Sequence, residues 1–229
     1  MSTVAWPVEH VHGSAAAFHE RVVEEPPGPA IWWFEVARPA LILGSTQHDD
    51  VVDRRAADAA GVDVVRRRSG GGAVHLEPGG SIWVDVVLPA TDPRWDHDVG
   101  RSFGWLGRAW AAVLADLGRP DAQVHEGPMR RGPWSELVCF AGLGRGEVTI
   151  DQRKLVGISQ RRTRSHARFQ CVLYRAWEPT ALLALLDLSA ADRAPATRDL
   201  VDVACGLGDL GLGAVPAVEV VERLREHVS

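Results

Sequence analysis

One lysine stands out among the residues that could carry chemistry. The chain of 229 residues has 25 basic residues, of which only Lys154 is lysine and the other 24 are arginine, and it contains no asparagine. A sequence that uses arginine wherever a positive charge suffices keeps lysine where a guanidinium cannot replace it. Lysine carries a compact point charge, whereas arginine is a wide planar fork that stays charged. The composition therefore makes Lys154 a candidate catalytic residue, with chance survival of one lysine as the alternative.

Lys154 begins the second strand of a predicted hairpin, formed by Glu147–Ile150 and Lys154–Gln160. Strand alternation predicts that Lys154 shares a face with Val156, Ile158 and Gln160, and that Leu155, Gly157 and Ser159 share the other. A glycine inside a strand is typical of close approach by a ligand or another backbone. Between positions 145 and 168 there are seven basic and two acidic residues. We therefore predict a local cationic site for an anionic ligand, with a solvated basic face as the alternative.

A second segment that could carry chemistry is a run of three glycines that follows three arginines, Arg66 to Gly72. Consecutive glycines leave the backbone bare, so several N–H groups can approach one phosphate or carboxylate and point at it. A plain flexible hairpin loop is the alternative interpretation. The spacing matches neither a Walker loop nor a dinucleotide-binding fingerprint.

Together the two segments resemble the lipoate–protein ligase A family. Its R-R-x-S-G-G-G-A-V loop is similar to Arg67, Arg68, Ser69, Gly70, Gly71, Gly72, Ala73 and Val74, and its segment with G-R-K-(I/L)-x-G-S-A-Q is similar to Cys139–Arg162. Gly44 and Gln47 resemble the family's early G-x-x-Q element. The resemblance extends over roughly residues 30–175. It implies the α+β fold of biotin and lipoate ligase catalytic domains, which is class II aminoacyl-tRNA synthetase-like: a mixed, largely antiparallel sheet flanked by helices.

The resemblance also implies a site. The glycine loop, Arg67 to Val74, would bind the acyl chain and acyl phosphate, and Gly157, Ser159 and Gln160 would complete the substrate and adenylate site. Lys154 would hold the acyl carbonyl and phosphate oxygens and stabilise the charge that develops on them. Replacing Lys154 by arginine should then leave the fold intact and slow transfer about a hundredfold. The implied cofactors are ATP and Mg²⁺, with lipoic acid or octanoate as substrate and no protein-bound metal. The implied partner is a lipoyl domain, in a 2-oxoacid dehydrogenase E2 or a glycine cleavage H protein.

The chain departs from the family pattern at four places that bear on ATP use and substrate choice. The family's H-D-x-G-N, G-R-N-D, S-A-Q and H-G elements are represented by Leu76–Gly80, Gly144-Arg145-Gly146-Glu147, Ile158-Ser159-Gln160 and Gln170-Cys171.

Four activities are compatible with these residues. A ligase activates lipoate with ATP; an octanoyltransferase takes octanoate from acyl carrier protein through a cysteine thioester, for which Cys139 is the candidate nucleophile. A thiolate near Lys154 and Arg145 would be activated by the positive charges. The arginines of the glycine loop suit an adenylate and favour the ligase. A biotin ligase is disfavoured because the G-R-G-R-x-G loop is absent, and a binding protein without catalysis is the fourth alternative.

The whole chain limits the remaining possibilities. A net charge of −5 disfavours a general nucleic-acid binder, and no apolar run approaches the roughly 20 residues that cross a bilayer. Met1–Glu9 lacks the features of a signal peptide, and we expect a cytoplasmic protein. Cys139, Cys171 and Cys205 are too sparse for a disulfide framework. One catalytic domain, residues 1–229, is expected, without a C-terminal accessory domain.

The candidate residues must be positioned by strands and helices, which local sequence patterns predict. Apolar, β-leaning runs predict strands at Ala30–Val36, Leu41–Leu43, Val62–Arg67, Ser81–Leu88 and Phe169–Leu173, besides the hairpin. Capping residues and apolar spacing predict helices at Asp53–Ala60, Asp98–Leu117, Thr180–Leu186 and Pro216–His227. Strands and helices that alternate irregularly favour an α+β sheet.

Overall fold

The computed structural model describes residues 5–229, and that part of the chain contains ten strands and six α-helices. The strands are β1 (Val8–Gly13), β2 (Ala30–Val36), β3 (Ala40–Leu43), β4 (Asp63–Arg66), β5 (Val74–Leu76), β6 (Ser81–Pro89), β7 (Gln123–Val124), β8 (Val148–Ile150), β9 (Arg153–Arg162) and β10 (His166–Tyr174). The helices are α1 (Ala15–Glu20), α2 (Arg54–Ala59), α3 (Gly104–Asp116), α4 (Pro179–Ala184), α5 (Ala190–Val201) and α6 (Ala217–Val228).

The strands form two sheets. The larger has seven strands in the order β1-β2-β6-β10-β9-β8-β7, and only its β1–β2 pair is parallel. The smaller has the order β4-β3-β5, with β3 parallel to β4 and antiparallel to β5. The predicted mixed, largely antiparallel sheet flanked by helices is therefore confirmed.

Two helices cover one face of the large sheet. The predicted apolar stripe of α3 is buried, with Leu106, Trp110 and Leu114 in the same cluster as Val220 and Leu224 of α6. Strands β6 and β10 contribute every second side chain to this cluster, as alternation requires. Strand β6 is almost continuously apolar because it is central and buried on both faces.

The small sheet and α1 cover the other face of the large sheet. Phe18 of α1, Ile42 of β3 and Leu76 of β5 pack against side chains from β2 and β6. Helices α2, α4 and α5 then cover the outer face of the small sheet. A space between the two sheets is the result, and the candidate site lies there.

Five of the strands and helices were not predicted: β1, α1, β5, β7 and α5. Strand β1 is mostly solvent-accessible and has only two valines, Val8 and Val11, three positions apart among polar residues, which gives a weak apolar signal. Helix α1 has only six residues, fewer than an amphipathic pattern needs to be recognised. Among the described residues, no helix is long and apolar enough to cross a membrane.

Candidate active site

Backbone hydrogen bonds fasten the glycine loop to the segment that carries Cys139. The N–H of Ala73 donates to Leu137 O at 2.8 Å, and the N–H of Cys139 donates to Ala73 O at 3.0 Å. Gln47 strengthens the junction, because its Oε1 accepts from Gly44 N and its Nε2 donates to the carbonyls of Glu136 and Leu137. The G-x-x-Q element thus has a positioning role: it holds two backbone segments together.

Glycine is required where these backbones meet. A Cβ on Gly72 would lie 2.6 Å from Val138 N and C and 2.7 Å from Cys139 N. A Cβ on Gly44 would lie 1.8 Å from Gly71 O. Neither position has room for a methyl group. The Gly72 contact determines how closely Cys139 approaches the loop, and the Gly44 contact determines how closely the end of β3 approaches it.

We expect Gly72→Ala to reduce the acyl transfer that the family resemblance implies by on the order of a hundredfold, because displacing Cys139 by about 1 Å disturbs the site geometry. Overpacking should also lower the free energy of unfolding by roughly 1–3 kcal/mol. Gly28→Ala is the control, since a Cβ there meets nothing within 4 Å and Gly28 lies outside the glycine loop. Transfer rates and urea unfolding of both variants check this. Equal rates for the two would show that loop packing does not position the site.

The Cys139 thiol lies at an apolar cavity between the sheets. The empty space in the cavity and the open solvent at its mouth together amount to about 420 Å³. It is lined by His19, Ile42, Arg67, Val74, Leu76, Trp83, Cys139, Phe140, Gly157, Ile158, Ser159, Gln170 and Val172. A concave site with aliphatic and aromatic walls and a few polar groups suits a small apolar ligand.

Arg67 is the cation beside the thiol. Its Nη2 is 3.8 Å from Cys139 Sγ and donates to Gly70 O and Gly72 O, each at 2.8 Å. Arg67 is 4% exposed and has no carboxylate partner among residues 5–229, so its charge is available to an anion at the sulfur. Arg145, the expected neighbour, is exposed instead.

Lys154 is buried, and each N–H group of its ammonium has an acceptor. Its ammonium is 2.7 Å from Glu147 Oε1 and donates to Gly142 O at 3.0 Å and Cys139 O at 3.2 Å. These three acceptors match its three N–H groups. Glu147 also accepts from the N–H groups of Gly144 and Ile158. Lys154 therefore orients the turn that follows Cys139, a role that the motif alone did not indicate.

The predicted faces of the hairpin need one correction. A register shift beside Val148 and Thr149 places an extra residue in β9, which reverses the alternation after Lys154. Lys154 Cε consequently lies 3.3 Å from the Cβ position of Gly157, on the same face of β9, although Lys154 itself does not line the cavity. Gln160 lies on the opposite face, where its Nε2 donates to Ser102 Oγ at 3.1 Å. The structure therefore brings Gly157 and Ser159 to the cavity but not Gln160.

The glycine loop and the Lys154 strand meet, as predicted. Ser69 Oγ is 3.1 Å from Ser159 Oγ, and the Cβ position of Gly71 is 3.6 Å from Cys139 Sγ. Four residues in the segments that depart from the family pattern were compared with the cavity lining. Leu76 and Gln170 line the cavity, whereas Gly80 and Gly146 do not.

A cationic pair lies beside this junction. Arg68 is exposed, and burial together with the charges of Arg68 and Arg168 lowers the pKa of Arg161. Within residues 5–229, no carboxylate lies at ion-pair distance from Arg68 or Arg161. The predicted local excess of positive charge is thus present at Arg68 and Arg161. Among the same residues, no three His, Cys, Asp or Glu side chains gather as a metal site.

The chain was then compared with known proteins. The profile of the lipoyl protein ligase A/B catalytic domain matches residues 14–229. Octanoyltransferase LipM of Kyrpidia tusciae is 29% identical over 239 residues, which cover 96% of this chain and 85% of that protein.

Two solved structures are similar to this fold. One, from Thermoplasma acidophilum, is described as a bipartite lipoate protein ligase and its E2 lipoyl domain; it is 18% identical, with a TM-score of 0.72 over 98% of this chain and 82% of that one. The other is lipoate-protein ligase A bound with ATP, 18% identical, with a TM-score of 0.69 over 99% and 85% of the two chains. At this identity the likeness concerns the fold. The resemblance stated from the two motifs is confirmed by the profile match: the chain belongs to the lipoyl protein ligase A/B catalytic-domain family.

Proposed function

We propose that this protein is an octanoyltransferase, which moves an octanoyl-type acyl group from acyl carrier protein to a lysine of a lipoyl domain through a thioester on Cys139. The observation that carries the proposal is the position of the thiol. Cys139 Sγ lies at an apolar cavity, with the unpaired guanidinium of Arg67 at 3.8 Å. A cation beside a cysteine at a cavity of this kind is typical of an activated sulfur nucleophile.

The chemistry proceeds in two exchanges. The Cys139 thiolate attacks the carbonyl carbon of the donor thioester; a new C–S bond forms, the donor C–S bond breaks, and the carrier leaves as a thiol after taking up one proton. The amine of the acceptor lysine then attacks the Cys139 thioester. A C–N bond forms, the C–S bond breaks, and the proton lost by the amine restores the thiol. No ATP is consumed.

The chain's own residues support both exchanges. Arg67 places a positive charge 3.8 Å from the attacking sulfur, and the cavity walls would hold the acyl chain away from water. Lys154 holds the Cys139 carbonyl and so orients the nucleophile. Arg68 and Arg161 give the cavity region an unneutralised positive charge that suits an anionic donor.

ATP-dependent lipoate ligation, which the sequence favoured, is the second candidate. The same pair, Arg68 and Arg161, could bind the phosphate of an acyl-adenylate. Mg²⁺ would accompany ATP in that reaction, and free lipoic acid or octanoate would replace the carrier. The thiol position favours the transferase because a ligase has no step that uses a nucleophilic sulfur. The relative described as an octanoyltransferase supports the same choice.

Intact-mass analysis of an apo lipoyl domain distinguishes the two. One reaction contains octanoyl acyl carrier protein; the other contains octanoate or lipoate with ATP and magnesium. We expect acylation of the domain in the first reaction only, together with an octanoyl adduct on this protein that hydroxylamine removes. Acylation only in the second reaction, with AMP formed, would establish the ligase instead. Acylation in neither would favour a binding protein.

A further inference from the structure

A ridge of exposed side chains, residues 129–131, lies next to the turn that follows the nucleophile. The backbone of Arg130 exchanges two hydrogen bonds with that of Leu143, at 2.9 and 3.0 Å. Met129 Cε lies 2.6 Å from the Cβ position of Gly142, in the same turn. The 129–131 ridge is therefore attached to the segment that positions the thiol, although the proposed transfer assigns it no role.

The ridge borders an open groove. Arg130 and Arg131 line this groove together with Phe140 and Asp202. The empty space in the groove and the open solvent at its mouth together amount to about 740 Å³. Phe140 also lines the cavity between the sheets, whereas Cys139 lines that cavity and not the groove. The groove thus lies beside the nucleophile without containing the thiol.

The ridge carries positive charge that the surrounding residues do not neutralise. Within residues 5–229, no carboxylate lies at ion-pair distance from Arg130. Arg131 Nη1 is 3.9 Å from Glu136 Oε1, but the two side chains are 70% and 91% exposed, so this pair contributes little. Asp202 is the one acidic side chain that lines the groove. In a chain of net charge −5, this local excess of positive charge complements an acidic surface.

Apolar side chains are exposed at the same place. Met129, beside Arg130, is 50% exposed, and Val201, beside Asp202, is 51% exposed. Methionine and arginine are enriched at protein–protein interfaces. An unbranched thioether also adapts to irregular partner surfaces. The composition of the ridge is therefore typical of a surface that binds another protein.

Resting on the proposed function, we infer that the 129–131 ridge and its groove dock the donor, an acyl carrier protein whose surface presents carboxylates. Reach distinguishes the donor from the acceptor. The acceptor lysine extends only by its four-carbon side chain, so its domain must dock at the mouth of the cavity. The donor thioester is at the end of a much longer phosphopantetheine arm. The carrier can therefore dock beside the Cys139 turn and still deliver its acyl group to the thiol in the cavity.

Binding of holo acyl carrier protein, which bears no acyl group, tests the docking without any transfer step. Titration calorimetry at low ionic strength would compare the wild type with Arg130→Glu. The backbone bonds of Arg130 to Leu143 do not depend on the side chain, so the variant should fold normally. We expect it to bind the carrier at least about tenfold more weakly, with a difference that shrinks as salt is added. Arg130→Lys keeps the charge and should bind nearly as tightly as the wild type.

Arg108→Glu is the matched control. Arg108 is exposed on α3 and does not line the groove, and its replacement changes the net charge by the same amount. This control should bind the carrier like the wild type. Initial rates of Cys139 octanoylation give a second readout. Arg130→Glu should lower kcat/KM at least about tenfold with the octanoyl carrier. The same variant should react normally with octanoyl-pantetheine, which has the same thioester and no protein surface.

The inference is overturned if the wild type does not bind the holo carrier, or if Arg130→Glu binds it as tightly as the wild type does. Equal weakening by Arg130→Glu and Arg108→Glu would also overturn it, because net charge alone would then explain the result. Slower passage of the octanoyl group from Cys139 to the lipoyl domain, with carrier binding unchanged, would show that the ridge docks the acceptor instead. If no thioester forms with either donor, the proposed function fails, whereas the binding comparison still decides whether the ridge docks the carrier.

Discussion

Replacing Cys139 with alanine is expected to abolish acyl transfer from acyl carrier protein, with a loss on the order of 10³-fold or more. The sulfur is the group that both exchanges need, and no other thiol can substitute for it. Cys171 and Cys205 are fully buried; burial raises the pKa of both thiols, and that of Cys205 to about 11. The measurement is the rate of lipoyl-domain octanoylation, followed by intact mass.

Cys205→Ala is the matched control for this variant. It removes a thiol without touching the cavity and should transfer at close to the wild-type rate, at a modest cost in stability from the lost packing. The half-buried Cys139 should lose little stability when truncated. If Cys139→Ala acylated the domain from octanoate, ATP and magnesium at the wild-type rate, the thioester pathway would be wrong and the ligase right.

Much of the fold followed from local signals. The strand Ala30–Val36 was predicted with its observed ends, and β6 was predicted from its apolar run as Ser81–Leu88, one residue short of its observed end at Pro89. Helix α2 begins where Asp53 indicated, because the Asp53 side chain accepts from Ala56 N. Residues within or next to these elements determine where each begins or ends, so contacts between distant segments were not needed to predict them.

The site was only partly predictable, because its remaining features depend on contacts between distant segments. Glu147 pairs with Lys154, and a lone buried lysine could have suggested a counter-charge, but not which carboxylate supplies it. The β-bulge that turns Lys154 to the face of Gly157 has no signature in the apolar pattern. His19 belongs to a helix of six residues and meets Gln170 across 151 positions, so sequence periodicity could not connect them.

The Lys154→Arg variant is expected to lose both stability and activity. The motif alone suggested that the fold would stay intact, and the structure changes that expectation. Lys154 Nζ lies 4.8 Å from the Phe140 ring centroid, and Cε lies against Gly157, so the wider guanidinium cannot occupy the same space. Disturbing the buried Lys154–Glu147 pair should cost about 3–5 kcal/mol. In a domain of this size that lowers the melting temperature by on the order of 10 °C. Because Lys154 also holds the Cys139 carbonyl, we expect transfer to slow at least about a hundredfold. Calorimetric melting and transfer assays below the melting temperature measure the two losses.

A double variant separates the chemical role of Lys154 from its structural role. Lys154→Met alone leaves the Glu147 carboxylate buried without a counter-charge, which is the most destabilising arrangement. Adding Glu147→Gln removes that charge, so the double variant should recover much of the lost stability. The Cys139 and Gly142 carbonyls would still lack their shared donor, and transfer should therefore remain slow. Recovery of the transfer rate in parallel with the melting temperature would contradict this, and would show that Lys154 serves only to neutralise Glu147.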